Sequence, residues 1–265
     1  MDFQDIRYET ADYVATITLN KPDKMNALSW GTWSEIENAI ALVNADDDVR
    51  CVIITGEGRG FSAGTDLVGP GGETDWAPRP HQGRPGRTRS RYLGTADVYN
   101  CKKPTIAAVN GASVGAGFSL ALACDIRIAS EKARFSAIFT KRAIVADTGS
   151  TWFLPRVVGQ AKALELFYTG RFVDAAEALR IGLVSEVVAH EDLMVRARAL
   201  AREIAHGPSL AVELDKRLVH EAFDRGLESQ IEMEQFLQGH TNGSEDAVEG
   251  RKSFLEKREP VFQGR

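Results

Sequence analysis

The chain has 265 residues, 43% of them hydrophobic and 26% charged, a balance that excludes both a disordered chain and a fibre. A net charge of −5 argues against a general nucleic-acid surface or an anionic membrane surface, which leaves small-molecule chemistry as the expectation. Cys51, Cys101 and Cys124 are odd in number, lie in apolar contexts and lack Cys-x-x-Cys spacing, so neither a disulfide framework nor a zinc site is indicated.

A charged N-terminal segment leads into the strand-like run Val14–Leu19. No apolar stretch reaches about twenty residues, so no membrane span and a cytoplasmic location are expected. Trp33, Ile36, Ile40 and Val43 then recur at helical spacing behind Ser29, which is suited to be the N-cap. Further strand-like runs at 51–55, 105–109, 126–129 and 183–188 alternate with helical patterns, the order of an α/β chain. Asp174 with Glu177 resembles a capping box, and Gly182 stops the helix that follows it. Beyond residue 190 the strands cease, and helices are expected over 192–206, 208–223, 227–238 and 244–258. The division expected is a core over 1–190 and a helical region over 191–265, covering the core or a neighbouring subunit.

Residues 69–91 fit no regular element, holding Pro70, Pro78, Pro80 and Pro85 together with Arg79, Arg84, Arg87, Arg89 and Arg91 around Trp76. Two readings stand: a solvated loop, or a lid whose arginines meet an anionic ligand.

Two short stretches carry the chemistry. Gly60-Phe61-Ser62-Ala63-Gly64-Thr65-Asp66 and Asn110-Gly111-Ala112-Ser113-Val114-Gly115-Ala116-Gly117 each offer main-chain N–H groups just after an apolar strand. Small residues let a carbonyl oxygen approach the backbone, which makes Ala63 and Ala116 the candidate donors of an oxyanion hole. The run from Ser119 to Cys124 reads as a buried helix opening at the second stretch, and a helix N-terminus favours a developing negative oxygen. Each well-placed donor is worth roughly 3–4 kcal/mol. The alternative is that Gly115 and Gly117 only make a tight turn.

Other chemistries lack their residues. Gly60-Phe61-Ser62-Ala63-Gly64 matches the letters of a nucleophile elbow, but the strand before it stops near Thr55 and the glycines after residue 69 forbid a helix. His81, His190, His206, His220 and His240 show no metal-ligand spacing. Neither a dinucleotide fingerprint nor a Gly-Lys-Ser/Thr phosphate loop occurs. Asp147 stands apart, between the apolar run Ala143-Ile144-Val145-Ala146 and the aromatic pair Trp152-Phe153. Partial burial would raise its pKa toward that of a general base; equally, Asp147 or Thr148 could cap the helix running toward Leu154.

Taken in order, these landmarks resemble the enoyl-CoA hydratase/isomerase, or crotonase, superfamily over almost the whole chain. They are Leu19-Asn20-Lys21-Pro22 with Asn26-Ala27-Leu28, the stretch from Phe61 to Asp66, the run from Lys103 to Gly111, Cys124-Asp125-Ile126, the run from Leu154 to Gly159, Ala178 to Val184, and the closing Phe254 to Arg258. The resemblance implies a spiral of ββα turns, a helical C-terminal trimerisation region, and a homotrimer or dimer of trimers. It implies an acyl-CoA thioester as substrate, coenzyme A being part of that substrate and no separate cofactor being needed. The thioester carbonyl would lie between the N–H groups of Ala63 and Ala116, bordered by Gly64, Thr65, Asp66 and Gly115. Lys24, Ala27 and Leu28 would border the adenine and phosphate portion, with Lys257 of a neighbouring copy, while Phe139, Trp152 and Phe153 would keep water out.

Hydratases of this family use two glutamates, and the alignment puts Ser119 and Phe139 at those places. Asp147 falls where dienoyl-CoA isomerases, the ring-epoxide isomerase of phenylacetate breakdown and the chlorobenzoyl-CoA dehalogenase carry a functional aspartate. The segment from Phe139 to Arg156 is most similar to the phenylacetate-pathway group, with Ala143 and Ala146 standing where that group tends to have Gly and Pro. Double-bond isomerisation through an enolate is the expected activity. The alternatives are a hydratase with atypical acids, a covalent route with Asp147 as nucleophile, and an acyl-CoA binder without catalysis.

Overall fold

Runs of β-branched and small apolar residues with no charge interrupting them can form strands buried on both faces, and β3 (Cys51–Gly56) and β5 (Thr105–Val109) are buried along their whole length. In the computed structural model, which describes residues 2–66 and 94–265, they occupy the centre of a six-stranded sheet of order β1-β2-β3-β5-β7-β10. Its other members are β1 (Ile6–Ala11), β2 (Val14–Leu19), β7 (Ile126–Ser130) and β10 (Glu186–Val188). Only β1 runs antiparallel to its neighbour. The Arg/Pro/Gly-rich segment 69–91 lies outside the described residues.

After each central strand the chain makes a second, short strand. β4 (Gly60–Ser62), β6 (Ala112–Val114) and β8 (Arg134–Ser136) line up in a smaller sheet, joined by β9 (Val173–Asp174). Helices close the turns: α1 (Trp30–Ala45), α2 (Gly94–Tyr99), α3 (Ala116–Ala123), α4 (Ser150–Val158), α5 (Gln160–Thr169) and α6 (Ala175–Arg180). This is the expected α/β spiral of ββα units. Ser29 caps α1 as expected, accepting from Thr32 N at 3.1 Å while the Thr32 hydroxyl accepts from Ser29 N. Asp174 accepts from Glu177 N at 2.8 Å, but the Glu177 carboxylate pairs with Arg171 instead of completing the box.

The strand expected over 183–188 is shorter. Leu183 and Val184 donate their N–H groups to Ala178 O and so finish α6, leaving only Glu186–Val188 to pair with β7.

Four helices follow: α7 (Leu193–Ala205), α8 (Ser209–Glu221), α9 (Leu227–Thr241) and α10 (Glu245–Glu256). α7 belongs with the core, although the sequence groups it with the C-terminal region. Leu193, Ala197, Ala201 and Ala205, spaced four apart, pack on Val14, Cys51, Ile53, Ile106, Ala108 and Ile128 across the outer face of the large sheet. The three thiols are free and buried, and burial pushes Cys51 and Cys124 up to about 12.

α8 is fastened to the sheet by charge. Lys216 Nζ lies 2.8 Å from the Asp125 carboxylate and donates to Lys103 O at 2.9 Å, Lys103 Nζ reaches Glu213 at 2.7 Å, and His220 Nε2 meets Asp125 at 3.0 Å. Burial pushes the Asp125 carboxyl up, but bonds from His220, Lys216 and Thr105 outweigh it and hold it below the ordinary 3.8. Its contribution to stability is therefore present above that value and is lost as pH falls through the lower, folded one. Lys216→Met, which leaves Asp125 short of its cation, is expected to cost about 3–5 kcal/mol in urea unfolding at neutral pH. Turnover per folded molecule should be unchanged.

Candidate active site

The loop after β4 is held by buried polar groups. Asn26 Nδ2 donates to Glu57 O at 2.9 Å and to Gly60 O at 2.8 Å, and Ser62 Oγ donates to Asn26 O at 2.8 Å. Ser62 is wholly buried with its hydroxyl committed to that carbonyl, so it is no nucleophile. The loop presses directly on α3: a Cβ on Gly117 would lie 2.6 Å from Ser62 O, and one on Gly64 would lie 2.8 Å from Val114 O and 3.5 Å from Ala116 N. With φ at +97°, Gly64 also needs a backbone that side chains disfavour.

Ala63 does not offer a free donor, contrary to the sequence expectation, because its N–H goes to Met25 O at 2.8 Å. The free N–H lies two residues on. Leu28 donates to Gly64 O at 2.7 Å and accepts from Asp66 N at 3.0 Å, bracketing Thr65 in a parallel bridge. Alternation along an extended chain then turns the Thr65 N–H to the other side, where it has no acceptor among the described residues.

Ala116 lies at the turn where the expected buried helix opens. It is the first residue of α3, is 2% exposed, and its N–H has no acceptor among the described residues. Gly115 precedes it at φ +53°, ψ −121° and provides no side-chain cap, so the helix N-terminus keeps its partial positive charge. Gly115 N donates to Ser136 O at 2.9 Å, which fixes the turn. Thr65 and Ala116 are thus two main-chain donors, without acceptors among the described residues, that the Gly64 contact draws together.

Neither position aligned with a hydratase glutamate holds an acid. Ser119 is fully buried and donates its hydroxyl to Gly115 O at 3.3 Å, while Phe139 is a core side chain in the same apolar cluster as Ala116 and Phe153.

Asp147 lies in the connection between the short 3-10 turn at Ile138–Arg142 and α4. That turn brings Ile138 to within 3.7 Å of the Cβ position of Gly115, and α4 packs on α3, so the elements before and after the connection reach the turn and the helix that hold Gly115 and Ala116. Asp147 does not cap α4. The N-cap is Gly149 at φ +80°, with no side-chain cap bond. The Asp147 carboxylate accepts from the Thr148 hydroxyl at 3.3 Å and makes no ion pair among the described residues. Desolvation by the protein behind it is the largest influence on this carboxyl and raises it above the ordinary 3.8, although the residue reaches solvent.

Phe153 is buried, and its ring edge would lie 2.7 Å from a Cβ on Gly149, so it supports the turn that follows the acid. Trp152 points elsewhere. It packs edge-on against Tyr99 at 5.0 Å, carries the Arg156 guanidinium 3.8 Å above its ring, and lines a cavity of about 650 Å³ with Leu122, Val219 and Phe223. That cavity opens at the far end of α3 and includes neither Thr65, Ala116 nor Asp147. Lys24 is exposed and its Nζ lies 3.3 Å from Asp66, so Lys24, Leu28, Thr65 and Asp66 form one rim beside the donor pair, with Ala27 part of the same turn.

Residues 9–265 match the family model described as enoyl-CoA hydratase/isomerase. The 1,2-epoxyphenylacetyl-CoA isomerase of Escherichia coli K12 is 37% identical over 258 residues, covering 95% of each chain. The (E)-benzylidenesuccinyl-CoA hydratase of Thauera aromatica is 37% identical over 262 residues, covering 98% of this chain and 99% of its own. A crystal structure of enoyl-CoA hydratase from Bacillus anthracis superposes with a TM-score of 0.90 at 34% identity, covering 99% of this chain and all of that one.

Proposed function

The chain belongs to the enoyl-CoA hydratase/isomerase family, and from that membership we propose that it moves a double bond within an unsaturated acyl-CoA thioester. One isomerase and one hydratase are equally similar to it, so overall likeness does not choose between the reactions. The side chains do. The observation that carries the isomerase reading is the Asp147 carboxylate, without an ion pair among the described residues, in a chain where the two positions aligned with the water-activating glutamates hold a buried hydroxyl and a phenyl ring.

In this reading Asp147 removes a proton from the acyl chain, and the electron pair moves onto the thioester oxygen. The N–H groups of Thr65 and Ala116 hold the resulting enolate, each contributing roughly 3–4 kcal/mol to the transition state. The enolate collapses, a different carbon takes the proton back from Asp147, and the double bond has shifted. One carboxyl suffices because it both takes and returns the proton, an effect worth ~10²–10⁴-fold. Hydration would need a second group to hold water. Phe139 leaves that place apolar.

Lys24 and the Ala27–Leu28 turn, on the same rim, are proposed to border the coenzyme A moiety. Assembly as a homotrimer or dimer of trimers is supported by the apolar side chains that α8 to α10 and their connections leave exposed, among them Val219, Phe236, Phe254 and Leu255. Light scattering on the purified chain reads that state directly. The reaction is tested with a panel of 3-enoyl-, 2-enoyl- and saturated acyl-CoA thioesters, products being separated by mass and retention. Interconversion of 3-enoyl and 2-enoyl forms without a hydrated product is expected. A 3-hydroxyacyl product as the main outcome overturns the isomerase reading, and binding of every thioester without any product identifies a non-catalytic binder.

A further inference from the structure

The residue after Asp147 has a conformation that its type resists. Thr148 sits at φ +52°, in the left-handed region where a β-branched side chain is an outlier, and Gly149 follows at φ +80°. Such an outlier persists only where its surroundings enforce it. Thr148 and Thr95, at 6% and 3% exposure, are both buried, and the Thr95 hydroxyl donates to Thr148 O at 3.0 Å. On the other side, Ser150 N and Oγ hold Asp147 O at 3.1 and 2.9 Å. With the backbone clamped in this way, the Thr148 hydroxyl reaches Asp147 Oδ1. It is the one side-chain donor to that carboxylate among the described residues.

We infer that Thr148, locked by Thr95, is the positioning residue of the Asp147 carboxylate, aiming it through the left-handed backbone and favouring its ionised form through the hydroxyl. The inference rests on the base role proposed for Asp147. No charged neighbour competes for that task among the described residues. Lys141 and Arg142 on the preceding turn make no pair with Asp147, Arg156 of α4 lies over Trp152, α3 carries no charged residue, and Asp97 of α2 interacts with Glu37. Desolvation raises the Asp147 carboxyl, and the hydroxyl bond offsets part of that rise.

The test compares Thr148→Val, Thr148→Ser and Asp147→Asn in the full chain. kcat, KM and the pH profile are measured on whichever thioester the parent turns over, and the Asp147 carboxyl is titrated by 13C NMR without substrate. Thr148→Val keeps the β-branch and loses the hydroxyl. It should lower kcat by about three- to tenfold with KM nearly unchanged, and should move both the acidic limb and the NMR titration to higher pH. Thr148→Ser should stay close to the parent. A folded Thr148→Val with parental kcat, acidic limb and titration overturns the inference. Should Thr148→Val not fold, Thr95→Val decides: reduced kcat at constant KM supports the clamp, and parental kcat overturns it. An inactive Asp147→Asn beside a parental Thr148→Val removes this inference alone, whereas a fully active Asp147→Asn removes the base role and this inference with it.

Discussion

Asp147→Asn is expected to lower turnover of the isomerised thioester by ~10²–10⁴-fold while leaving thioester binding nearly intact, since the amide keeps the shape and loses the proton acceptor. The same substitution should raise thermal stability at neutral pH. Folding lifts this carboxyl above its unfolded value because the protein behind it disfavours the charge. Such a group favours the folded state most when protonated, and that advantage disappears as pH rises from the unfolded value through the higher, folded one. At neutral pH the carboxylate is therefore a cost to folding that Asn removes. Melting curves at pH 7 beside a product assay check both halves. Loss of stability together with loss of activity would mark Asp147 as a structural residue.

Ala116→Pro is expected to lower kcat by ~10²–10³-fold with the helix retained. Ala116 is the first residue of α3, the one helical position where proline is tolerated, because the N–H lost there has no partner within the helix. The change removes the donor hydrogen and puts the ring Cδ on the same nitrogen, so this half of the site is closed to a carbonyl oxygen. Circular dichroism should show parental helix content. Full activity with that content unchanged would remove Ala116 from the donor pair.

The sequence displayed the long elements well because their signals repeat. Four residues at helical spacing behind a serine define α1, and α7 to α10 end within three residues of their expected limits. The strands β4, β6 and β8 have three residues each, too few for any periodicity, and only their place after a central strand reveals them. Ala116 was legible since a glycine turn opening an apolar helix leaves its first N–H free. That the N–H of Thr65, and not that of Ala63, is left without an acceptor among the described residues depends on how the loop after β4 bridges Leu28, a long-range register. The demand for a small residue was also satisfied elsewhere. Gly64 makes the close approach to Ala116, so the residue beside it can be a threonine. Asp147 was visible as a carboxylate among apolar residues, but that Gly149 rather than Asp147 opens α4 follows from the left-handed backbone there, which no residue pattern announces. Trp152 looked like a neighbour of the acid by proximity in the chain, yet helix geometry turns it toward Tyr99 and Arg156, while the Phe153 ring, also near Tyr99, reaches the turn at Gly149.

Both free amides belong to the main chain, whereas the acid and the two apolar replacements at 119 and 139 are side chains. In the proposed reaction, gripping the carbonyl and selecting the product are therefore inherited separately. If the proposed roles hold, codon changes at 119, 139 or 147 would rewrite the chemistry without loosening the grip, and a descendant of this gene could trade one product for another while its fold and its hold on the thioester pass through the change intact.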